Sequence, residues 1–213
     1  MTNELLQVFP IPVHISKHEE NIEKEFEFVK NIKYISNGNS GNIYGNKNFK
    51  SENTSVLKYK ELKTINDFIQ NQLEFYSINI LSSKQKLIPT ISWMNKNPKG
   101  SKHHEHVHPN SVISGVFYFS INKSAPIQFH KSDSWGLKLD VDKYNNFNSE
   151  LFMVPMNKGE LVLFPSSLKH SVPINQSEEE RFSLSFNTFV PDFEIGSREN
   201  LTYLNTREIN YGN

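Results

Sequence analysis

The sequence predicts a mainly β fold, an antiparallel sandwich or barrel, with helices from the N-terminal part packed on one sheet. Two observations support this prediction. From Leu87 onward, short apolar segments alternate with turn residues such as Gly, Asn and Ser. Sixteen Phe and eight Tyr against nine Gly indicate an aromatic-rich β core rather than a glycine-punctuated nucleotide-binding fold.

The N-terminal part contains one predicted strand and two predicted helices. We expect a strand from Leu6 to Ile15, where Pro10 and Pro12 suit an edge position because proline lacks an N–H group. Residues 17–32 are charged, with apolar residues at near-helical spacing, which predicts a surface helix. A second helix is predicted over residues 58–77. Its apolar face consists of Leu62, Ile65, Phe68, Ile69, Leu73 and Tyr76.

The rest of the chain forms the predicted β core. Seven strands are expected in the segments KLIPTISWMN, VISGVFYFSI, PIQFHK, LFMVPM, GELVLFP, KHSVPI and RFSLSFNTFV. A length of 213 residues suits one domain, which we expect over residues 1–190. Within it, the N-terminal strand and helices occupy 1–82 and the β core 87–190. Residues 191–213 are polar and weakly patterned, which predicts a C-terminal tail.

The bulk properties exclude several classes of protein. Lys plus Arg equals Asp plus Glu at 23 each, so no global field attracts nucleic acid or an anionic membrane. There is no run of eighteen apolar residues and no signal-peptide pattern at the start. Cysteine is absent, which excludes disulfides and thiolate nucleophiles and fits a reducing compartment. We therefore expect a cytoplasmic protein (in the host cytoplasm if phage-encoded), without a nucleic-acid or membrane partner.

Histidine is concentrated in one short window. Four of the eight histidines fall within the six residues HHEHVH that begin at His103, and His170 follows much later. If the window is extended, side-chain alternation places His104, His106 and His108 on one face of a strand. His103 then lies on the opposite face. Near neighbours plus one distant histidine are typical of a mononuclear metal centre on a β scaffold. The alternative is a solvated, His-rich loop.

A second motif predicts an anion site. Arg181 and Ser183 share one face of the predicted strand RFSLSFN. A guanidinium group gives a carboxylate two parallel charge-assisted hydrogen bonds, and an arginine that faces a β core is costly unless it meets an anion. A bound carboxylate is therefore expected. The alternative is a surface arginine paired with an acidic residue of the preceding triplet, residues 178–180.

The order of these motifs resembles a known family. The blocks H-x-H-P-N-S…S-G-V-F-Y, G-x-L-V-L-F-P-S-x-L-x-H and R-x-S-x-S-F-N are similar to those of the iron(II)- and 2-oxoglutarate-dependent oxygenases. The resemblance is strongest to a phage- and bacterium-associated branch related to prolyl hydroxylases. The blocks fall between residues 88 and 190. Each block alone is weakly specific, whereas the three in this order and spacing are more specific.

The resemblance implies a double-stranded β-helix, or jelly roll, that binds Fe(II) with 2-oxoglutarate and O2 as cosubstrates. His106 and His108 would be the near metal ligands and His170 the distal ligand. The usual facial triad has two histidines and one carboxylate, written H-x-D, so His108 departs from the pattern. Glu105 cannot easily replace the carboxylate, because alternation directs it away from His106. A rival register uses His104 with His106.

The resemblance also implies a cosubstrate site. Arg181 and Ser183 would hold the far carboxylate of 2-oxoglutarate, and Tyr118 occupies the position of a tyrosine that contacts the same carboxylate in related hydroxylases. Trp93 and Asn95 lie on the strand before the histidine window and are candidates for the pocket lining. A role in the core is an equally good interpretation of Trp93.

The leading functional interpretation is an oxygenase that hydroxylates a peptide side chain or a small metabolite. One alternative is a cupin-like metalloenzyme that does not use 2-oxoglutarate, and another is a non-catalytic jelly roll that binds a metal or ligand. The loop at residues 35–55 and Trp135 are candidates for covering the substrate, and both can equally be ordinary surface loops. The aromatic content also suggests a homodimer.

Overall fold

The computed structural model describes residues 2–37, 48–120, 123–131, 139–191, 194–196 and 204–205. In chain order its main elements are β1 His14–Lys17, α1 Glu23–Lys30, β2 Tyr34–Ser36, β3 Phe49–Ser51, α2 Lys63–Phe75, β4 Ile88–Asn97, β5 His103–His106, β6 Ile113–Tyr118, β7 Ile127–His130, β8 Leu151–Val154, β9 Glu160–Pro165, β10 His170–Val172, β11 Arg181–Phe189, β12 Glu194–Ile195 and β13 Leu204–Asn205. Two 3-10 turns, Val56–Lys58 and Lys60–Leu62, precede α2, and a π-helical turn, Tyr76–Ile80, follows it.

Two antiparallel sheets form the body of the protein. The larger sheet has seven strands in the order β1-β9-β6-β11-β4-β3-β2, and the smaller has four in the order β5-β10-β7-β8. The short strands β12 and β13 pair separately. The mainly β prediction is therefore confirmed, and each of the seven segments predicted as strands in the β core contains one.

The larger sheet separates two apolar clusters. Its outer face packs against α1, α2 and the turns that flank α2. In α2 and these turns, Leu62, Ile65, Ile69, Leu73 and Tyr76 are fully buried against sheet residues such as Phe117 and Phe186. Its inner face meets the smaller sheet. That second cluster consists of Val116, Tyr118, Ile127, Phe129, Val154, Met156, Val162, Phe164 and Leu168. The predicted packing of helices on one sheet is confirmed.

The N-terminal strand begins later than predicted. Residues 6–13 form no strand, and β1 covers only His14–Lys17, which pairs with β9 at the edge of the larger sheet. Pro10 and Pro12 cannot donate to a ladder, and Leu6 and Phe9 are exposed. The apolar composition of residues 6–13 therefore predicted a longer strand than the chain forms.

The two helices are shorter than predicted. Lys17 is the last residue of β1, so α1 begins only at Glu23. The second helix begins with 3-10 turns instead of α-helix and ends in the π-helical turn. The predicted loop at residues 35–55 contains the end of β2 and all of β3, whereas residues 38–47 and Trp135 lie outside the described residues. In the described part of the chain, no helix combines the length and apolar character needed to cross a membrane.

Gly115 lies where the larger sheet is tightly packed on its outer face. A Cβ atom at this position would lie 2.2 Å from Phe186 Cζ and 2.8 Å from Leu163 Cδ2. Phe186 and Leu163 are its cross-strand neighbours on β11 and β9, and both are fully buried. The ring therefore has little room to move away.

We predict that Gly115→Ala lowers the free energy of unfolding by about 1–3 kcal/mol, the usual cost of overpacking a core. Urea denaturation followed by circular dichroism measures this loss. Adding Phe186→Leu to Gly115→Ala should cost less than the sum of the two single changes, because the smaller side chain removes the clash. An unchanged midpoint for Gly115→Ala would contradict the packing described here.

Candidate active site

Strand alternation gives the larger sheet a polar inner face at one end. On β11, Phe182, Leu184 and Phe186 pack in the helix-side core. The intervening residues Arg181, Ser183, Ser185 and Asn187 line a cavity between the two sheets. The cavity has a volume of about 340 Å³. Its lining in the described part of the chain contains lysine, arginine and histidine but no carboxylate.

Three histidines meet at one part of this cavity. His106 and His170 are directly paired residues of β5 and β10, and His108 follows β5. One nitrogen of each of the three rings lies within 4.8 Å of the others. The Nε2 atoms of His108 and His170 are 3.2 Å apart. These are the three residues predicted as ligands, and the structure brings them together.

Hydrogen bonds orient two of the three rings. His106 Nδ1 lies 2.8 Å from the carbonyl oxygen of His104, and His170 Nδ1 lies 2.9 Å from that of Leu168. A carbonyl oxygen can only accept, so Nδ1 carries the proton in both rings and Nε2 keeps a free lone pair. Metal-binding histidines usually have such an outer partner. The third ring, His108, has Asn187 Nδ2 3.5 Å from its Nδ1.

Burial keeps these histidines neutral. It lowers the pKa of His170 to about 3, with a smaller contribution from the charge of His106. Burial likewise lowers the pKa of His108 to about 4 and lowers the pKa of His106. Neutral imidazole is the form that binds metals, so the three rings need no deprotonation near pH 7.

The other candidates in the window do not join this group. Glu105 points to the outside of the smaller sheet, where it pairs with Lys169 at 2.9 Å and with His130 Nδ1 at 3.0 Å. His104 is exposed and lies outside the three-histidine group. In the described ranges, the group that could hold a metal contains no carboxylate.

Arg181 is buried and has no acidic partner among the described residues. It is 3% exposed, so the alternative of a surface arginine paired with residues 178–180 is wrong. Glu178 pairs with Lys99 and Glu180 with Lys96, and no described carboxylate lies within 4 Å of the guanidinium group. Arg181 Nη1 donates a hydrogen bond to Ser183 Oγ at 3.2 Å.

Tyr118 lies beside this arginine. The guanidinium carbon of Arg181 is 5.0 Å from the centre of the Tyr118 ring, a cation–π distance. The Tyr118 hydroxyl is buried and makes no hydrogen bond with the described residues. Burial raises the pKa of Tyr118, which Arg181 partly offsets, so the hydroxyl stays a proton donor. Arg181, Ser183 and Tyr118 thus lie together, as predicted. The Tyr118 hydroxyl has no partner among the described residues, and Arg181 has no acidic partner there.

Trp93 and Asn95 both line the cavity, as predicted. Trp93 Nε1 donates to Asn95 Oδ1 at 3.1 Å, and Asn95 Nδ2 donates to Ser185 Oγ at 2.9 Å. Trp93 is half-buried and its ring centre is 6.1 Å from that of His108. These bonds fix the indole as part of the wall near the histidines.

His103 lines the cavity, although the sequence pattern did not predict it there. Simple alternation put it on the face opposite His106, yet both line the cavity. The reason is a bulge in β5. His106 pairs with His170 and His103 with Val172, so moving three residues along β5 corresponds to moving two residues along β10. The extra residue turns His103 to the same side as His106. Asn97 is also buried at this end and contacts His103. No local sequence signal marks the bulge.

Comparisons with known proteins agree with the geometry. Residues 91–187 match the model of a family described as "Putative 2OG-Fe(II) oxygenase". A search of curated proteins gave no match.

Three solved structures share the fold. HygX from Streptomyces hygroscopicus, crystallised with nickel, 2-oxoglutarate and hygromycin B, has a TM-score of 0.62 and 10% identity, over 86% of this chain and 84% of that chain. The non-heme alpha-ketoglutarate-dependent epimerase SnoN from nogalamycin biosynthesis has a TM-score of 0.62 and 10% identity, over 85% and 80%. A prolyl-4-hydroxylase from Pseudomonas putida has a TM-score of 0.58 and 13% identity, over 84% and 94%.

At these identities the structural similarity establishes the fold alone, and the predicted jelly roll is confirmed. The family match adds the relationship in sequence, because it covers most of the β core with all three histidines and Arg181. Residues 91–187 are therefore similar in sequence to the family described as "Putative 2OG-Fe(II) oxygenase".

Proposed function

We propose that the protein is an Fe(II)- and 2-oxoglutarate-dependent oxygenase that hydroxylates a C–H bond of a small-molecule or peptide substrate. The observation that carries the proposal is the lining of a single cavity. It combines three neutral histidines, suited to a metal ion, with a buried arginine, suited to a carboxylate, that has no acidic partner in the part of the chain the structure describes. The family uses Fe(II), 2-oxoglutarate and O2.

The histidine group fits a metal ion. Two nitrogen ligands about 2.1 Å from a metal and at right angles to each other lie about 3 Å apart. The 3.2 Å between His108 Nε2 and His170 Nε2 is close to this value. We propose that His106, His108 and His170 hold Fe(II), with a third histidine in the position of the usual carboxylate.

The arginine end fits the far carboxylate of 2-oxoglutarate. Within the described ranges, the buried guanidinium group of Arg181 has no counter-charge and the buried hydroxyl of Tyr118 has no acceptor, so both need the same kind of partner. A carboxylate accepts several hydrogen bonds and carries the missing negative charge. We propose that Arg181, Ser183 and Tyr118 bind it.

The residues of the chain then have distinct tasks. When bound, Fe(II) and 2-oxoglutarate use O2 to oxidise a substrate C–H bond while 2-oxoglutarate is converted to succinate and CO2. The histidines fix the metal, and Arg181 sets the direction in which the cosubstrate enters. Trp93 and Asn95 form the wall beside the histidines and are candidates to position the substrate. Asn37, Lys50 and Thr54 extend the lining.

A cupin-like enzyme without 2-oxoglutarate is the second candidate, because the metal group has three histidines and no carboxylate within the described ranges. Arg181 favours the first candidate, because its guanidinium group has no acidic partner among the described residues and the far carboxylate of 2-oxoglutarate would supply one. We also propose a cytoplasmic location, because the chain contains no cysteine. We further propose that residues 1–190 form one domain and that the protein is a homodimer.

We predict that His170→Ala abolishes stoichiometric Fe(II) binding, because the two remaining histidines cannot complete the site. Anaerobic titration of metal-free protein with Fe(II), followed by calorimetry, measures this. His104→Ala is the matched control and should retain binding, since His104 lies outside the three-histidine group. Full binding by the His170 variant would refute the proposed ligand set, and loss in the His104 variant would favour the rival register.

We predict that Arg181→Met weakens 2-oxoglutarate binding by at least about 10- to 100-fold, because a hydrogen bond to a charged group contributes about 1.5–3 kcal/mol. Fe(II) affinity should not change. The measurement is the visible metal-to-ligand charge-transfer band that forms when 2-oxoglutarate is added to the anaerobic Fe(II) protein. Lys99→Met removes an exposed cation that pairs with Glu178 and should leave the band intact.

Two other outcomes would count against the proposal. An unchanged 2-oxoglutarate affinity in the Arg181 variant would contradict the cosubstrate site. Iron binding without any band in the unmodified protein would favour the cupin-like alternative.

Arg181→Lys keeps the positive charge but loses the two parallel N–H donors of the guanidinium group. This variant should therefore bind 2-oxoglutarate with an affinity between those of the unmodified protein and Arg181→Met.

A further inference from the structure

His103 belongs to a buried polar network beside Arg181. Asn97 is directly paired with Arg181 across β4 and β11, and Asn97 Nδ2 lies 2.9 Å from His103 Nε2. The same amide nitrogen donates to Asn48 Oδ1 at 3.0 Å. Asn48 and Asn97 are each only 2% exposed. The histidine is therefore held in a fixed place at the arginine end of the cavity.

The network determines which nitrogen of His103 carries the proton. The carbonyl oxygen of Lys102 can only accept, so Asn48 presents its Nδ2 to it and turns its Oδ1 to Asn97. Asn97 must then present Nδ2, whose second hydrogen faces His103 Nε2. Nε2 is thus an acceptor, and the proton of the neutral ring lies on Nδ1.

That Nδ1–H group has no partner among the described residues. No hydrogen bond uses it, and it is not among the sealed polar atoms of the interior. His103 lines the cavity together with Arg181 and Ser183. The Nδ1–H donor is therefore open to an acceptor from outside the described residues, on a side chain that lines the same cavity as Arg181. The guanidinium group of Arg181 also lacks an acidic partner in the described part of the chain.

The ring stays neutral in this place. Burial lowers the pKa of His103 to about 3, and the positive charge of Arg181 contributes further. A neutral ring avoids placing a second positive charge beside the guanidinium group. It still offers one directional donor to an anion that Arg181 attracts.

We propose that His103 is a cosubstrate-binding residue that donates a hydrogen bond from Nδ1 to the far carboxylate of 2-oxoglutarate. This inference rests on the proposed function and adds a residue to it. His103 selects for a dicarboxylic 2-oxo acid over a 2-oxo acid with an apolar end. The bulge in β5 makes this possible, because it turns His103 and His106 to the same cavity.

The test compares two 2-oxo acids on the anaerobic Fe(II) protein, with the charge-transfer band as the readout. 2-Oxoglutarate carries the far carboxylate, whereas 2-oxopentanoate has the same chain length and ends in a methyl group. His103→Phe keeps the ring volume and removes the donor. This variant should lower the affinity for 2-oxoglutarate about 10-fold or more, which is the effect of losing one hydrogen bond to a charged group. Its affinity for 2-oxopentanoate should be unchanged.

Two further variants control for a merely structural role. His103→Asn places an amide nitrogen near the position of Nδ1 and should restore part of the preference for 2-oxoglutarate. His104→Asn removes the exposed neighbouring imidazole of β5 and should leave both affinities unchanged.

The outcomes separate this inference from the proposed function. If His103→Phe lowered the affinity for both acids equally, or lowered neither, the proposed role of His103 would be wrong. A failure of the unmodified Fe(II) protein to bind 2-oxoglutarate would instead overturn the proposed function and this inference with it. Retained Fe(II) affinity in His103→Phe is expected, because His103 lies outside the three-histidine group.

Discussion

The register of β11 between β4 and β6 is the constraint on which the site depends. Three apolar residues of β11, Phe182, Leu184 and Phe186, are buried against the helices, and the intervening side chains face the cavity. Burying each such side chain contributes roughly 1.5–3 kcal/mol, so together they resist a shift by one residue. Such a shift would turn every side chain of the strand to the opposite face. The hydrophobic face thus holds Arg181 and Ser183 in place.

The polar end of the cavity departs from the rule that buried charges are paired. Removing an arginine from water without a counter-charge costs several kcal/mol, and it persists only where the rest of the fold compensates. Here the surrounding strands supply that stability, because β11 is central, with β4 paired to it from Arg181 to Phe189 and β6 from Ser183 to Asn187. Buried groups without partners are characteristic of binding sites, whereas residues that serve only stability are satisfied within the protein.

Sequence patterns predicted the elements whose side chains alternate regularly. The strands containing Phe117, Leu163 and Leu184 were found because one face is continuously apolar, and α2 was found from its helical spacing. The N-terminal strand was overestimated because apolar residues without a partner strand form no ladder. His103 was misplaced because a bulge depends on the pairing of two distant strands, β5 and β10, and leaves no mark in the local sequence.

The three-histidine group changes the balance of charge in the proposed site. A carboxylate ligand would give the metal one negative charge from the protein, whereas His106, His108 and His170 give none. Arg181 also lacks a negative partner in the described lining. The two carboxylates of 2-oxoglutarate are then the counter-charges of both the metal and the arginine. Because coupling between two ligands is reciprocal, each should strengthen the binding of the other. A neutral His103 beside Arg181 fits this balance, since a charged ring there would add a positive charge that the cosubstrate could not neutralise.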